Sequence, residues 1–374
     1  MGAAMLAAKG CGACSSLEEL AARTVRITES TLPTPCLLYT SFPMAEKKKI
    51  ILDVDTGTDD AIAIMTAYLD PELDLLAVCS VAGNKALSYT TENTLRVRDV
   101  LKADFPVYKG CATPMVCTLL PNRHGDYTGQ RTQVEGMDKP IEIHTDYLEL
   151  PPSTRTVEKE HAVWFYIDTL MHSEGDITLV PVGPLTNIAM AMRIEPEICK
   201  KIKEIVLMGG GYQRTNTTAA AEFNIWADPE AAQIVMDSGC PIRMIPLDAT
   251  HHGGCINSDE SREFRALGTA LGKAVADCVD HRILAYSHLQ PMDRLDSAPI
   301  HDALAVCAVA HPEIITKSIF TRVDIDISGG FADGQTIVDP RTYTDRLKNA
   351  TFALDADRDA FAKWMMDCIK SFQG

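Results

Sequence analysis

The stretch that decides the reading of this chain is ILDVDTGTDD, residues 51–60. An apolar run leads straight into Asp53, Asp55, Asp59 and Asp60. Carboxylates this close repel one another, so something must make the arrangement tolerable. Capping of a following helix by Asp59 or Asp60 needs one aspartate rather than four, and a solvated acidic loop would not follow so hydrophobic a strand. The spacing points to a hard divalent cation held by oxygen ligands. The cluster lacks the nearby His and Cys that zinc would want, which favours Ca²⁺ or Mg²⁺.

Outward from this stretch, short apolar runs alternate with helical patterns. KIILDV reads as a buried strand and DDAIAIMTAYL as the helix after it. LDLLAVCSVAG, FPVYKG, DITLVPVG, KEIVLMGGG and PIRMIPLD read as further strands. Between them, residues 88–102 form a helix with Ser88 as N-cap, and EKEHAVWFYIDTLMHS and LTNIAMAMRIEP form two more. DPEAAQIVMDSG is a helix with Asp228 as cap, Pro229 in its first turn and Gly239 at its end. Strands alternating with helices of this length imply a mostly parallel central sheet covered on both faces. The fold class is therefore α/β, Rossmann-like, in a single domain. Working sites of such sheets lie beyond the carboxyl ends of the strands. Those ends carry DVDTGTDD, VAGN, PVGPLTN, MGGGY and LDATHH, and they hold the polar residues.

Composition sets the limits. The 374 residues are 46% hydrophobic and 23% charged, with a formal net charge of −16. A duplex nucleic-acid binder would show a basic face, but the only Lys cluster is Lys47–Lys49, beside the first strand. No apolar run reaches the roughly 18 to 20 residues that span a bilayer. Twelve cysteines are scattered, many in apolar surroundings such as those of Cys79 and Cys307. They read as reduced thiols, which implies a reducing, cytoplasmic location. The CxxC pair Cys11–Cys14 lies outside any strand–turn–helix pattern and is not read as a redox or zinc site. Residues 1–43 lack sustained periodicity and are expected to be a disordered extension or an upstream artefact of the reading frame. Glu18, Glu19 and Glu29 argue against a transit peptide. The catalytic domain is expected to occupy residues 44–374.

A strand ending in Asp-x-Asp also opens the haloacid dehalogenase-like phosphatases. Here Gly57 stands where their Thr belongs, and Val180 stands where the second Asp of a late acidic pair should be. DVDTGTDDA instead resembles the aspartate signature of the nucleoside hydrolases, Asp-x-Asp-x-Gly-x-Asp-Asp-Ala. AGN at Asn84, HG at His124, VPVGPLTNIA at 180–189, MGGGY at 208–212, NTTAAAEFNIWADPEAA at 216–232 and HDALAVCAVAHPE at 301–313 resemble further blocks of that family, in its order. The resemblance covers nearly all of 48–345.

What the resemblance implies is Ca²⁺-dependent hydrolysis of the N-glycosidic bond of ribonucleosides to ribose and free base, as in purine and pyrimidine salvage. By the same resemblance, Asp55, Asp60 and Asp302 are side-chain ligands of the ion, Val182 offers its backbone carbonyl, and Asp53 supports the set. A homodimer or homotetramer is expected. Asp55 is the candidate base that takes a proton from a water made acidic by the metal. Nearby carboxylates also favour the positive charge that develops on the sugar. Asp59, Asn84, Asn216, Glu222, Asn224 and Asp302 are expected at the ribose hydroxyls, with the backbone near Met208 lining the sugar. Several such contacts would select ribose over deoxyribose, because a missing hydroxyl strands buried polar groups. His301 is the expected acid for the departing base. His124 is a second pocket histidine, in a block (HGDYTGQ) that departs from the family's Gly-Leu ending. Tyr286 is expected to reach the base from a mobile segment. Asn187 is read as a structural helix cap, and His251 and His252 carry no assignment. The competing readings are the phosphatase and a catalytically silent nucleoside-binding relative, which should have lost a ligand or the acid.

Overall fold

A computed structural model describes residues 46–120, 123, 140–290, 292, 294–343 and 345–373. Residues 1–43, with the Cys11–Cys14 pair, and His124 lie outside the described residues.

Strand β1 (Lys48–Val54) pairs in parallel with β2 (Leu73–Ser80) on one side and β4 (Ile177–Pro181) on the other. Beyond β2 lies β3 (Val107–Lys109), and beyond β4 lie β5 (Ile202–Met208) and β6 (Ile242–Ile245), all parallel. The order β3-β2-β1-β4-β5-β6 inside the nine-stranded sheet is that of a doubly wound fold, with its switch point between β1 and β4. The sheet continues in parallel to β11 (Ala350–Ala356) and ends with antiparallel β9 (Ile315–Ile325) and β10 (Thr336–Asp339). A separate antiparallel pair joins β7 (Cys255–Asn257) to β8 (Ser297–Pro299).

One face of the sheet packs against α1 (Thr58–Leu69), α2 (Leu87–Val100), α9 (Ala270–Leu289), α10 (His301–Ala310) and α11 (Arg358–Ser371). The other packs against α3 (Ala162–His172), α4 (Thr186–Ile194) and α6 (Pro229–Met236). Short helices α5 (Phe223–Ala227) and α7 (Leu247–Gly253) follow β5 and β6, and α8 (Ser258–Ala266) follows β7. Side chains of β1 alternate between the layers: Ile50, Leu52 and Val54 join the first, and Ile51 the second. Asp53, two residues after Ile51, must share its face. There it meets Tyr166 of α3 and Asn187 of α4.

Several local expectations change. Helix α2 starts at Leu87 with Ala86 at its N-cap and no side-chain cap, so exposed Ser88 does not cap it. Helix α3 begins at Ala162 because the His161 side chain accepts from Val163 N and sets the start there. Asp228 does cap α6, with Pro229 in its first turn, and Gly239 follows at φ +77°. Tyr286 belongs to the long helix α9 and is buried, not part of a mobile segment. Among the described residues no helix is long and apolar enough to cross a membrane.

Candidate active site

The carboxyl ends of β1, β2, β4 and β5 converge. Val182 N donates to Asp53 O at 2.8 Å and Val81 N to Val54 O at 2.9 Å, so the loops after β2 and β4 flank the aspartate loop. Asp55 sits between them. A Cβ on Gly83 would fall 2.2 Å from Asp55 Oδ2, and one on Gly183 would fall 2.7 Å from Oδ1. Only glycine permits so close an approach on both sides.

Asp53 is no part of the cavity wall. Its Oδ2 accepts from Tyr166 OH and from Asn187 Nδ2, each at 2.9 Å. Burial lifts its carboxyl to about 7 against those two bonds. It ties α3 and α4 to β1. Asn187 is structural but not a cap: its Nδ2 holds Asp53 and Ser80 O, and its Oδ1 accepts from Cys111 N. A neutral amide with both a donor and an acceptor can join these three groups.

Asp60 opens α1. Its Oδ2 accepts from Gly57 N at 2.9 Å and its Oδ1 from Asp55 N at 3.1 Å. Asn84 ties Asp55 to Asp60, with its N 2.6 Å from Asp55 Oδ2 and its Nδ2 3.3 Å from Asp60 Oδ2. Asp302, in the first turn of α10, comes alongside from more than two hundred residues away in sequence. Carboxylate oxygens of Asp59, Asp60 and Asp302 lie within 4.8 Å of one another, all buried, and could hold a metal ion. Of the three side-chain ligands that the resemblance implied, the group contains Asp60 and Asp302 but not Asp55, and it includes Asp59. Asp55 stands at its margin, and its buried Oδ1 has no hydrogen-bond partner.

Electrostatics fit a cation. Burial, then mutual repulsion, holds the carboxyls of Asp55 and Asp302 well above the ordinary range. Asp60 is pushed up to about 7 by burial and Asp59. Asp59 is also raised, by burial, although Arg282 opposes the rise. A dication among them would reverse these shifts, and all-oxygen donors suit a hard one.

The cavity above the carboxylates measures about 410 Å³. Among the expected residues, its lining includes Asp59, Asn84, Val182, Met208, Asn216, Glu222, Asn224, Tyr286, His301 and Asp302. Val182 O already accepts from Asn224 Nδ2 at 2.8 Å, leaving one lone pair of that carbonyl for another partner. The same amide reaches Met208 O at 3.1 Å and so bridges the ends of β4 and β5. Glu222 caps α5, accepting from Asn224 N and Ile225 N, and also accepts from Gly210 N. Asn216 Oδ1 accepts from Phe223 N at 2.9 Å.

His301 is 4% exposed with both ring nitrogens engaged, Nε2 at 2.7 Å from Tyr286 OH and Nδ1 at 2.7 Å from Thr250 Oγ1. Burial, then Arg282, His251 and His144, keeps its pKa well below the usual histidine value, so the ring is neutral. His251 packs beside it, ring centroids 5.4 Å apart, while His252 turns outward to Asp355.

Sequence reading missed several lining residues, Arg282, His144 and Lys85 among them. Arg282 is 1% exposed, yet it donates to Asp59 Oδ1 at 2.7 Å, Pro299 O at 2.8 Å and Tyr286 OH at 3.3 Å. Its position four before Tyr286, one helical turn, was the available signal. His144 lies with Nδ1 3.3 Å from Thr58 N and 3.9 Å from Asp59 Oδ1. Lys85, immediately after Asn84, completes that wall.

Comparison with known proteins agrees with this geometry. The family described as inosine-uridine preferring nucleoside hydrolase matches residues 50–363. The pyrimidine-specific ribonucleoside hydrolase RihB of Escherichia coli O157:H7 is 40% identical over 330 residues, 87% of this chain and 98% of that protein. Among solved structures, a purine-preferring ribonucleoside hydrolase from Gardnerella vaginalis superposes with a TM-score of 0.76 at 32% identity, covering 87% of this chain and 99% of that one. An inosine-guanosine nucleoside hydrolase gives a TM-score of 0.71 at 27% identity, over 86% and 98% of the two chains. A match that runs through all the strand ends gathered around this cavity, and through nearly the whole of each relative, means that the chain belongs to the inosine-uridine preferring nucleoside hydrolase family and is a ribonucleoside hydrolase, an N-glycosidase.

Proposed function

We propose that the chain hydrolyses the N-glycosidic bond of ribonucleosides in a Ca²⁺-dependent reaction. The observation that carries this reading is the buried, partnerless Oδ1 of Asp55 beside the Asp59–Asp60–Asp302 group, two of whose members, Asp59 and Asp302, line the cavity that also contains His301 and Tyr286. Asp55, Asp60 and Asp302 would hold the ion, with the Val182 carbonyl, and Asp59 stands within the same group. When bound, the ion offsets the carboxylate charge and makes water more acidic.

Asp55 takes the proton of the attacking water. Asp59, Asn84, Asn216, Glu222, Asn224 and Asp302, with the Met208 backbone, hold the ribose, and the carboxylates favour the cationic character the sugar gains as the base departs. The base needs a proton to leave. A neutral His301 holds only the weakly acidic N–H of an imidazole, so the Tyr286 hydroxyl, 2.7 Å from His301 Nε2, gives the proton and is left as phenolate. Arg282, 3.3 Å from that oxygen, steadies the charge it carries once the proton has gone.

Ribose release from uridine, cytidine, inosine and guanosine tests the reading. The panel carries both base classes because, of the relatives above, one is described as pyrimidine-specific and another as purine-preferring. Ribose released from at least one of them, and suppressed by chelation and restored by Ca²⁺, is the expected result. No release from any would overturn it, and release that is indifferent to chelation would overturn the metal part alone.

A further inference from the structure

The loop after β2 serves both walls of the cavity. Asn84 holds Asp55 and Asp60, and Lys85 turns the other way. Lys85 is 3% exposed, and its Nζ lies 2.7 Å from Glu142 Oε2 and 3.0 Å from Asp146 Oδ1. An ammonium removed from water costs several kcal/mol unless it is well paired, and here two carboxylates pair it. Those carboxylates stand two residues before and two residues after His144.

His144 depends on such ties. Residues 142–150 contain no helix or strand, so regular backbone bonding does not fix them. The ring lies on the first turn of α1, where a Cβ on Gly57 would fall 1.9 Å from its Nδ1. Nδ1 accepts from Thr58 N, which leaves Nε2 as the nitrogen that carries hydrogen and can donate. Other contacts hold the segment's backbone: His281 Nε2 meets Glu142 O at 2.9 Å, and Asn93 Nδ2 reaches Asp146 O at 3.2 Å. The Lys85 pairs act on the side chains on either side of the histidine and come from the very loop that holds the carboxylate floor.

We infer that Lys85 is a positioning residue, which by pairing with Glu142 and Asp146 holds the 141–147 segment against the cavity so that His144 stands beside Asp59 when a ribonucleoside enters. The inference rests on the reading of this cavity as the ribonucleoside site. Asn84 and Lys85 are consecutive, so one loop carries ties both to the carboxylates and to this wall.

The test compares Lys85→Met and Lys85→Arg with the unaltered chain. Methionine keeps the apolar stem and removes the charge. Glu142 and Asp146 then turn to water, which their 19% and 39% exposed side chains already touch. Lys85→Met should lower kcat/KM on the best nucleoside by roughly tenfold to 10²-fold, the scale of a small misplacement. Amide hydrogen exchange should quicken over 141–147, with bound metal and melting temperature little changed. Lys85→Arg should restore most of both losses. Kinetics like those of the unaltered chain would overturn the proposal, whether or not exchange quickens. If Lys85→Met does not fold, the Glu142→Gln/Asp146→Asn double variant should reproduce the loss, and full activity there overturns the proposal equally. If the unaltered chain releases no ribose, the fault lies with the site reading, and the exchange measurement still decides whether Lys85 holds the segment.

Discussion

Tyr286 and His301 meet through a 2.7 Å contact between the phenol oxygen and Nε2, although they lie on different helices. Arg282 donates to the same oxygen, one turn back on the tyrosine's helix, and its guanidinium also sits 5.2 Å from the tyrosine ring. Through Asp59 the arginine joins this pair to the carboxylate group. Burial works against its charge, but Asp59, Tyr286, Asp302 and Asp60 more than offset the penalty. One buried cation therefore links the carboxylate group to the Tyr286–His301 pair.

His301→Ala and Tyr286→Phe should each slow nucleosides strongly, by the roughly 10²–10⁴-fold that loss of a general acid costs. An aryl riboside such as p-nitrophenyl riboside leaves as a stable anion and needs no proton, so neither variant should slow it much. Asp55→Ala should slow both substrates. The double variant should be scarcely worse than either single one, because two residues acting as a unit are not additive. Equal losses on nucleoside and aryl riboside, compared by kcat, would sink the acid role and leave the pair as a sugar-positioning device.

Asp60→Asn keeps an oxygen that can accept from Gly57 N, so the start of α1 should survive. What it loses is negative charge in the carboxylate group and the second acceptor oxygen, the one that Asp55 N donates to. Metal content and activity should fall together, and the melting temperature should fall further in metal-containing buffer than in metal-free buffer, since a ligand bound to the folded state alone stabilises by mass action, about 2.7 kcal/mol at a hundredfold excess over Kd. Full activity of Asp60→Asn in chelator-treated buffer would refute the metal reading.

The first half of the sheet was legible because its strands are buried on both faces. Such strands are unbroken apolar runs with polar residues only at their ends, and the aspartate loop, VAGN and PVGPLTN stood out by contrast. The end of the sheet was not. β9 alternates weakly and is largely exposed along its first half, so neither period dominates. At the site, carboxylates and amides in family blocks were readable, but residues that act through geometry were not. Arg282 looks like an ordinary helix residue until the fold brings it to Asp59. Asn187 looked like a cap because it begins a helix, and its bond to Asp53 depends on the alternation of a strand far away. His144 was missed because the His-Gly block drew the pocket role to His124. Lys85 was hidden in plain view, beside a residue already singled out.

A chain starting at Met44 should fold and retain full ribose release, because the described domain begins with β1 at Lys48 and the preceding residues show no core pattern. Insolubility or inactivity of the shortened chain, with the full chain sound, would show that the first 43 residues belong to the domain.

Glu222 sets a pH signature. It is 2% exposed, and burial raises its carboxyl from 4.5 to about 7 in spite of the bonds from Asn224 N, Gly210 N and Ile225 N. The folded chain therefore keeps a proton that the unfolded chain releases near 4.5. Between these values the native state binds more protons than the unfolded state, so stability must fall as pH rises. The contribution is whole below the lower value and gone above the upper one, and its full size is roughly 3 kcal/mol at 1.36 kcal/mol per unit. Saturating metal would keep the aspartates of the metal group ionised, which leaves Glu222 and Asp53, both raised to about 7, as the groups whose titration lowers stability over this window. Under that condition the melting temperature should decline from pH 5 to pH 8, and Glu222→Gln, which has no proton to lose, should make the decline shallower whatever its absolute stability. The same slope in both proteins would mean that the three backbone donors hold Glu222 ionised, and that burial does not control its charge.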